Sequence, residues 1–108
     1  MKSQTRLKAR KRFGQNFLID ELIIDSILSL VDPLPSDRFI EIGPGRGAIT
    51  SCLLKSGCDL TLIELDRELI PGLLARFASK SPNRCRLINQ DIMRVDFSQF
   101  TEPLRILG

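Results

Sequence analysis

Apolar and polar positions along the chain fall into two alternating patterns. Four short apolar runs stand near residues 38–42, 60–64, 85–89 and 104–107. Each is rich in residues that suit a buried strand, and polar or glycine-containing segments bound each one. Between the runs, apolar residues recur three or four positions apart. Ile24, Ile27, Leu28 and Val31 form one such stripe, with Asp20 placed as its N-cap and Pro33 ending it. Ile49, Cys52 and Leu53 form a second, over a helix predicted from Ala48 to Lys55, with Gly57 at its C-terminal cap. Leu69, Leu73, Leu74 and Phe77 form a third, with Asp66 as its cap. Pro71 fits that third helix only if it starts late or kinks there. Residues 79–83 read as a polar loop, and residues 91–100 as a turn or short helix. Strands alternating with helices predict an α/β fold with a mainly parallel, doubly wound sheet and right-handed crossovers.

Ligands of such sheets sit outside the carboxyl ends of the strands. The most informative stretch is there: Phe39-Ile40-Glu41-Ile42-Gly43-Pro44-Gly45-Arg46-Gly47, a strand running into a glycine turn ahead of a helix. Glycine permits positive φ and carries no Cβ to hold a ligand away. The N–H groups at the following helix start favour electron-rich ligand atoms. Glu64 ends the second run, where an acid can accept both hydroxyls of a ribose. Asp91 follows the third, where a carboxylate can accept from an exocyclic amine such as adenine N6. An isolated acid at a strand end is commonly just solvated. Three signals at consecutive strand ends point to a nucleoside-containing ligand.

Charge adds a second theme. The net charge is +3, yet Lys2, Arg6, Lys8, Arg10, Lys11 and Arg12 are all basic and residues 1–12 contain no acid. A basic arm on a mildly acidic body suits phosphate contact, although short basic tails are also common as solvated segments. Lys8 to Leu18 mixes bases with Phe13, Phe17, Gln15 and Asn16, a set able to contact phosphates, stack on bases and bond a base edge. The simpler alternative is that the two phenylalanines pin the arm to the core. The arm is placed at residues 1–19 and the ligand-binding body at 20–108.

Composition mainly excludes. The chain has no histidine, which removes Ser-His and Cys-His nucleophilic schemes and most metal chemistry. Its three cysteines, Cys52, Cys58 and Cys85, show no Cys-x-x-Cys spacing and read as reduced thiols of a cytoplasmic protein, with Cys52 and Cys85 in the core. No apolar run approaches the roughly 20 residues of a membrane helix, and no signal-peptide pattern adjoins the basic start. Neither a metal nor a membrane is expected.

Gly43 to Ala48 also satisfies the G-x-G-x-x-G/A dinucleotide pattern, so a nicotinamide dinucleotide is one candidate. Glu41 favours S-adenosylmethionine instead. A carboxylate two residues before the first glycine suits an ammonium or sulfonium and sits badly beside a pyrophosphate. It can equally serve as a partner for loop N–H groups. A non-catalytic RNA-binding module is a third reading.

Lys11-Arg12-Phe13-Gly14-Gln15-Asn16-Phe17-Leu18, Glu41-Ile42-Gly43-Pro44-Gly45, Ile63-Glu64-Leu65-Asp66 and Asn89-Gln90-Asp91 together resemble the KsgA family of rRNA adenine N6,N6-dimethyltransferases. The likeness runs from about Lys8 to the last residue. The related Erm methylases of large-subunit rRNA are the nearest alternative, and Phe-Gly-Gln-Asn-Phe is closer to KsgA. The resemblance implies a Rossmann-like class I methyltransferase domain, with a sheet here cut after its fourth strand. It implies transfer of methyl groups from S-adenosylmethionine to N6 of two adjacent adenosines near the 3′ end of small-subunit rRNA, within a pre-ribosomal particle. Asn16 and Leu18 would close over the cofactor and Gly43 would line its methionine end, with Glu41 and Gly45 as further cofactor-binding candidates. Glu64 would hold the ribose and Asp91 the adenine amine, while Lys8, Arg10, Lys11 and Arg12 would grip rRNA. The family's catalytic Asn-Leu-Pro-Tyr motif follows strand four and is absent from residues 1–108, which contain no tyrosine. These residues alone are therefore expected to be inactive, and a sheet ending at strand four to present an unpaired edge.

Overall fold

The computed structural model describes residues 13–100 and 103–108, with side chains described from residue 21 onward. The chain divides into two compact units, Met1–Asp32 and Pro33–Gly108. In the first, a helix α1 runs over Phe13–Val31. Asp20, expected as an N-cap, lies inside it, and residues 13–19, assigned above to the arm, are helical. Asp is a good cap but is tolerated within a helix, and here the helical apolar spacing continues back to Phe17 and Phe13. The helix ends as expected. Asp32 takes a left-handed φ of 46° and its N–H reaches the Leu28 carbonyl at 2.7 Å, and Pro33 cannot continue the ladder.

The second unit holds the sheet. Its elements are β1 (Arg38–Ile42), α2 (Ala48–Lys55), β2 (Asp59–Ile63), a helical segment, β3 (Cys85–Ile88) and β4 (Arg105–Leu107). The strand order is β3-β2-β1-β4 and every pairing is parallel. β1 and α2 fall where the apolar pattern put them. The segment after β2 is built in three parts: a 3-10 turn Arg67–Leu69, a short helix α3 (Ile70–Leu73) and a π-turn Leu74–Ala78. Asp66 does cap it, accepting from the Glu68 N–H. Pro71 sits in the first turn of α3, where its missing N–H has no partner to lose. Leu73 and Phe77 are buried, but Leu74 is turned to solvent.

Alternation along the strands gives the sheet two apolar faces. On one, Ile40 and Ile63 are buried with Val95, and Ile42, Ile88, Ile92, Phe100 and Leu104 pack around them. On the other lie Phe39, Leu60 and Leu62, with Glu41 between, whose carboxylate meets Thr50 of α2. The 91–100 segment thus covers a sheet face through two 3-10 turns, Ile92–Arg94 and Phe97–Gln99. Of the cysteines, Cys85 is in the core and Cys52 is only half-buried. Cys58 takes the buried place instead, its thiol directed at the Leu53 carbonyl. Burial pushes the Cys85 thiol up to about 11, so it stays protonated and inert. At the amino end of the sheet, Arg105 donates to Asp37 at 2.8 Å and stacks 4.8 Å over the Phe39 ring. These contacts tie β4 to the loop before β1.

Candidate cofactor site

The register brings three strand ends level. Ile42 pairs with Ile63, and Ile63 with Ile88. The ladder runs one step further: the Gly43 N–H reaches the Ile63 carbonyl at 2.9 Å, and the Glu64 N–H reaches the Ile88 carbonyl at 3.0 Å. Gly43 and Glu64 therefore leave the sheet side by side. Asn89 links the next exit, its amide donating to the carbonyls of Glu64 and Leu65 at 2.8 and 3.2 Å.

The glycine turn is shaped by three residues with positive φ: Gly43 (65°), Gly45 (58°) and Gly47 (88°). Their missing side chains face different surroundings. A Cβ on Gly43 would meet nothing within 4 Å, and one on Gly45 only the Gly43 carbonyl at 4.0 Å. A Cβ on Gly47 would lie 2.3 Å from the Phe77 ring. The first two glycines thus leave open backbone in front of the sheet, while the third is a packing glycine. The Gly47 N–H closes a turn onto the Pro44 carbonyl at 2.8 Å, and Gly47 is also the cap from which α2 starts.

Glu64 is buried, 7% exposed, and its carboxylate spans two loops. One oxygen accepts from the Gly45 N–H at 3.3 Å and the other from the Asp66 N–H at 3.0 Å. A carboxylate has about four acceptor positions, so two remain for a diol. Glu41, at 4% exposure, accepts from the Thr50 hydroxyl at 2.5 Å. Burial raises its pKa and the Thr50 bond offsets that only in part. Its partner is thus a side chain of α2, and not the loop N–H groups that were the alternative to a ligand. Asp91 accepts from the Met93 N–H at 2.9 Å and caps its 3-10 turn. Asp66 and Asp96 cap their turns in the same way, so this bond by itself says nothing about a ligand.

The structure therefore gathers Glu41, Gly43, Gly45 and Glu64 at one end of the sheet, with Asp91 at the exit of the neighbouring strand. Asn16 and Leu18 lie on the α1 backbone, with side chains outside the described residues. Lys8, Arg10, Lys11 and Arg12 lie outside them altogether. Sequence reasoning missed Thr50, Arg76 and Phe77, which contact Glu41, the Arg46 carbonyl and Gly47. Thr50 stands three residues before Leu53 on the buried face of α2, and that spacing could have revealed it. Among the described residues there is no cluster of three or more metal-ligating side chains, and no helix long and apolar enough to cross a membrane.

A parallel sheet with a glycine turn after β1 and an acid after β2 has the Rossmann-like architecture of class I methyltransferases. Solved structures agree. The chain superposes on a dimethyladenosine transferase from Plasmodium falciparum with a TM-score of 0.62 and 27% identity, over 69% of this chain and 27% of that one. It superposes on the 23S rRNA methyltransferase ErmE with a TM-score of 0.59 and 26% identity, over 68% and 30%. Residues 6–108 match the family model for ribosomal RNA adenine dimethylase, and the chain belongs to that family. It is 48% identical to ribosomal RNA small subunit methyltransferase A of Saccharophagus degradans, covering 94% of this chain and 38% of that protein. With its counterpart from Pseudomonas syringae pv. tomato the identity is 49%, over 100% of this chain and 41% of the relative. The chain thus spans about two-fifths of the length of these curated relatives.

Proposed function

We propose that the protein dimethylates N6 of two adjacent adenosines near the 3′ end of small-subunit rRNA, using S-adenosylmethionine, during ribosome biogenesis in the cytoplasm. The observation that carries this reading is identity of 48–49% along almost the whole chain with relatives bearing the small-subunit name. The weaker likeness to ErmE, at 26%, supports the large-subunit alternative less.

The site fits the cofactor. The open backbone at Gly43 and Gly45 has room for its methionine end, and the Glu41 carboxylate, two residues before Gly43, would supply negative charge for an ammonium. Glu64, already fixed by two N–H groups, offers its remaining lone pairs to the ribose hydroxyls. Asp91 uses one oxygen as a cap and can turn the other to the adenine amine. When bound, S-adenosylmethionine supplies the methyl group. The residues described here hold and orient it, and that positioning is their share of the rate. The basic residues Lys8, Arg10, Lys11 and Arg12 would hold the RNA within the pre-ribosomal particle.

The test is methyl transfer to immature small subunits by the intact protein, beside calorimetry with S-adenosylmethionine and a nicotinamide dinucleotide. Tritium incorporated at the 3′ end of the small-subunit rRNA, and lost with Glu64→Ala, is the expected result. Binding of the dinucleotide alone would overturn the reading. Residues 1–108 by themselves contain no Asn-Leu-Pro-Tyr motif and are expected to give no turnover in the same assay.

A further inference from the structure

The glycine turn is gripped by two consecutive residues that carry no sequence signal of a site. Phe77 is buried and its ring lies flush on Gly47, where a Cβ would come within 2.3 Å of it. Arg76 stacks over the same ring, its guanidinium carbon 4.9 Å from the ring centroid, and donates Nη1 to the Arg46 carbonyl. One residue therefore packs on the turn and its neighbour bonds the carbonyl beside that contact. In a regular α-helix, consecutive side chains diverge by about 100°. Here both belong to the π-turn Leu74–Ala78, closed by the Ser79 N–H on the Leu74 carbonyl at 2.8 Å. Such widened turns are uncommon and recur near functional sites. A different residue of the turn, Gly45, is held separately, its N–H bonded to Glu64.

We propose that Arg76 and Phe77 are positioning residues for the methionine end of the cofactor. They act through the turn: by fixing Arg46 and Gly47 they hold Gly43 and Gly45 in the open shape that admits the amino-acid moiety. The proposal rests on the reading of this site as an S-adenosylmethionine pocket. It adds a separation within that pocket. Glu64 and Asp91 bind the adenosine end directly, whereas the Arg76–Phe77 clamp touches neither end and acts on the amino-acid end through the turn.

The experiment is calorimetry on the intact protein with two ligands: S-adenosylhomocysteine, which has the amino-acid end, and methylthioadenosine, which lacks it. Arg76→Met keeps an apolar stem over Phe77 but removes the donor. It is expected to weaken S-adenosylhomocysteine about tenfold, the size of one lost hydrogen bond to a charged donor. Methylthioadenosine should be unchanged. Arg86→Met serves as the control, because it removes an ion pair to Asp59 away from the turn. It should alter neither affinity, whatever it does to the melting temperature. Equal weakening of both ligands by Arg76→Met, or no weakening of either, would overturn the clamp while leaving the pocket intact. Failure of the unaltered protein to bind either ligand would instead remove the pocket on which the clamp rests.

Discussion

Gly47→Ala is the sharpest single test of how the turn is built. Two separate terms oppose the substitution. Its φ of 88° places an L-residue in left-handed space, which costs about 1–2 kcal/mol. The new methyl would also stand 2.3 and 2.6 Å from Cε2 and Cζ of Phe77. That ring cannot simply swing aside: it is 6% exposed and covered by the Arg76 guanidinium. Forcing a methyl into such a contact adds about 1–3 kcal/mol. The total is about 2–5 kcal/mol, a large part of the stability typical of a domain. Gly43→Ala supplies the comparison. Its φ of 65° carries a similar backbone term, but nothing lies within 4 Å of the new methyl, so about 1–2 kcal/mol is expected. Urea denaturation of the intact protein without cofactor measures both. Adding Phe77→Leu to Gly47→Ala should recover part of the steric term, making the double variant less damaged than the two single losses would give. Equal losses at Gly43 and Gly47, or strict additivity with Phe77→Leu, would refute the packing argument.

Three further outcomes follow from the same geometry. Glu64→Ala leaves the Gly45 and Asp66 N–H groups without their acceptor, so it should lower stability by about 1–3 kcal/mol as well as abolish cofactor binding, while Glu64→Gln, which keeps one acceptor oxygen but turns an NH2 onto the other N–H, should recover only part of that stability. Glu41 and Asp37 should bend the pH profile of urea stability in opposite senses. The Glu41 pKa is raised above 4.5 by burial, so the folded state takes up its proton first and stability rises as pH falls from neutral towards 4.5; Glu41→Gln should remove that rise. Asp37, held low by the Leu34 N–H and by Arg105, stabilises above its unfolded value of 3.8 and loses that contribution as pH falls further, a loss that Asp37→Asn should erase. Finally, replacing Lys8, Arg10, Lys11 and Arg12 with glutamine should flatten the salt dependence of RNA binding by up to about three units of log–log slope, read by filter binding across salt concentrations, with cofactor affinity unchanged.

The parts legible in the sequence were those fixed by local pattern. β1 and α2 were placed to the residue because an apolar run, a glycine turn and a capping glycine bracket them closely. Glu64 was legible because a parallel sheet sets an acid at the end of β2 beside the turn after β1. α1 was misjudged at its start because Asp20 has the chemistry of a cap, and nothing local says whether a cap is in use. The Leu69–Phe77 stripe was read as one helix, since a helical period cannot register a π-turn. Leu74 falls on that stripe in sequence and in solvent in the fold. Thr50, Arg76 and Phe77 were missed for another reason. Each acquires its role from a residue distant along the chain: Thr50 from Glu41, Phe77 from Gly47, and Arg76 from the carbonyl of Arg46. A carbonyl leaves no mark in a sequence at all.

These distant partners explain how so small a turn can hold its shape. Gly43, Gly45 and Gly47 have the widest conformational freedom of any residues, and a loop built from them would lose much entropy on binding a ligand. Here that loss is taken during folding. The Gly43 N–H is bound to Ile63, the Gly47 N–H to Pro44 and the Gly45 N–H to Glu64. The Arg46 carbonyl is bound by Arg76, and Gly47 is pressed on Phe77. None of these contacts needs a ligand. The glycines are required because the chain must bend sharply and approach closely, while the surrounding side chains remove the flexibility that glycine brings. Pre-organisation of this kind places part of the energetic weight of the pocket on Arg76 and Phe77, which hold the turn from outside the pocket. Substitutions at Arg76 and Phe77 should accordingly act on affinity through the order of the turn, and the amide hydrogens of Gly45 and Gly47 should exchange faster in each variant than in the unaltered protein.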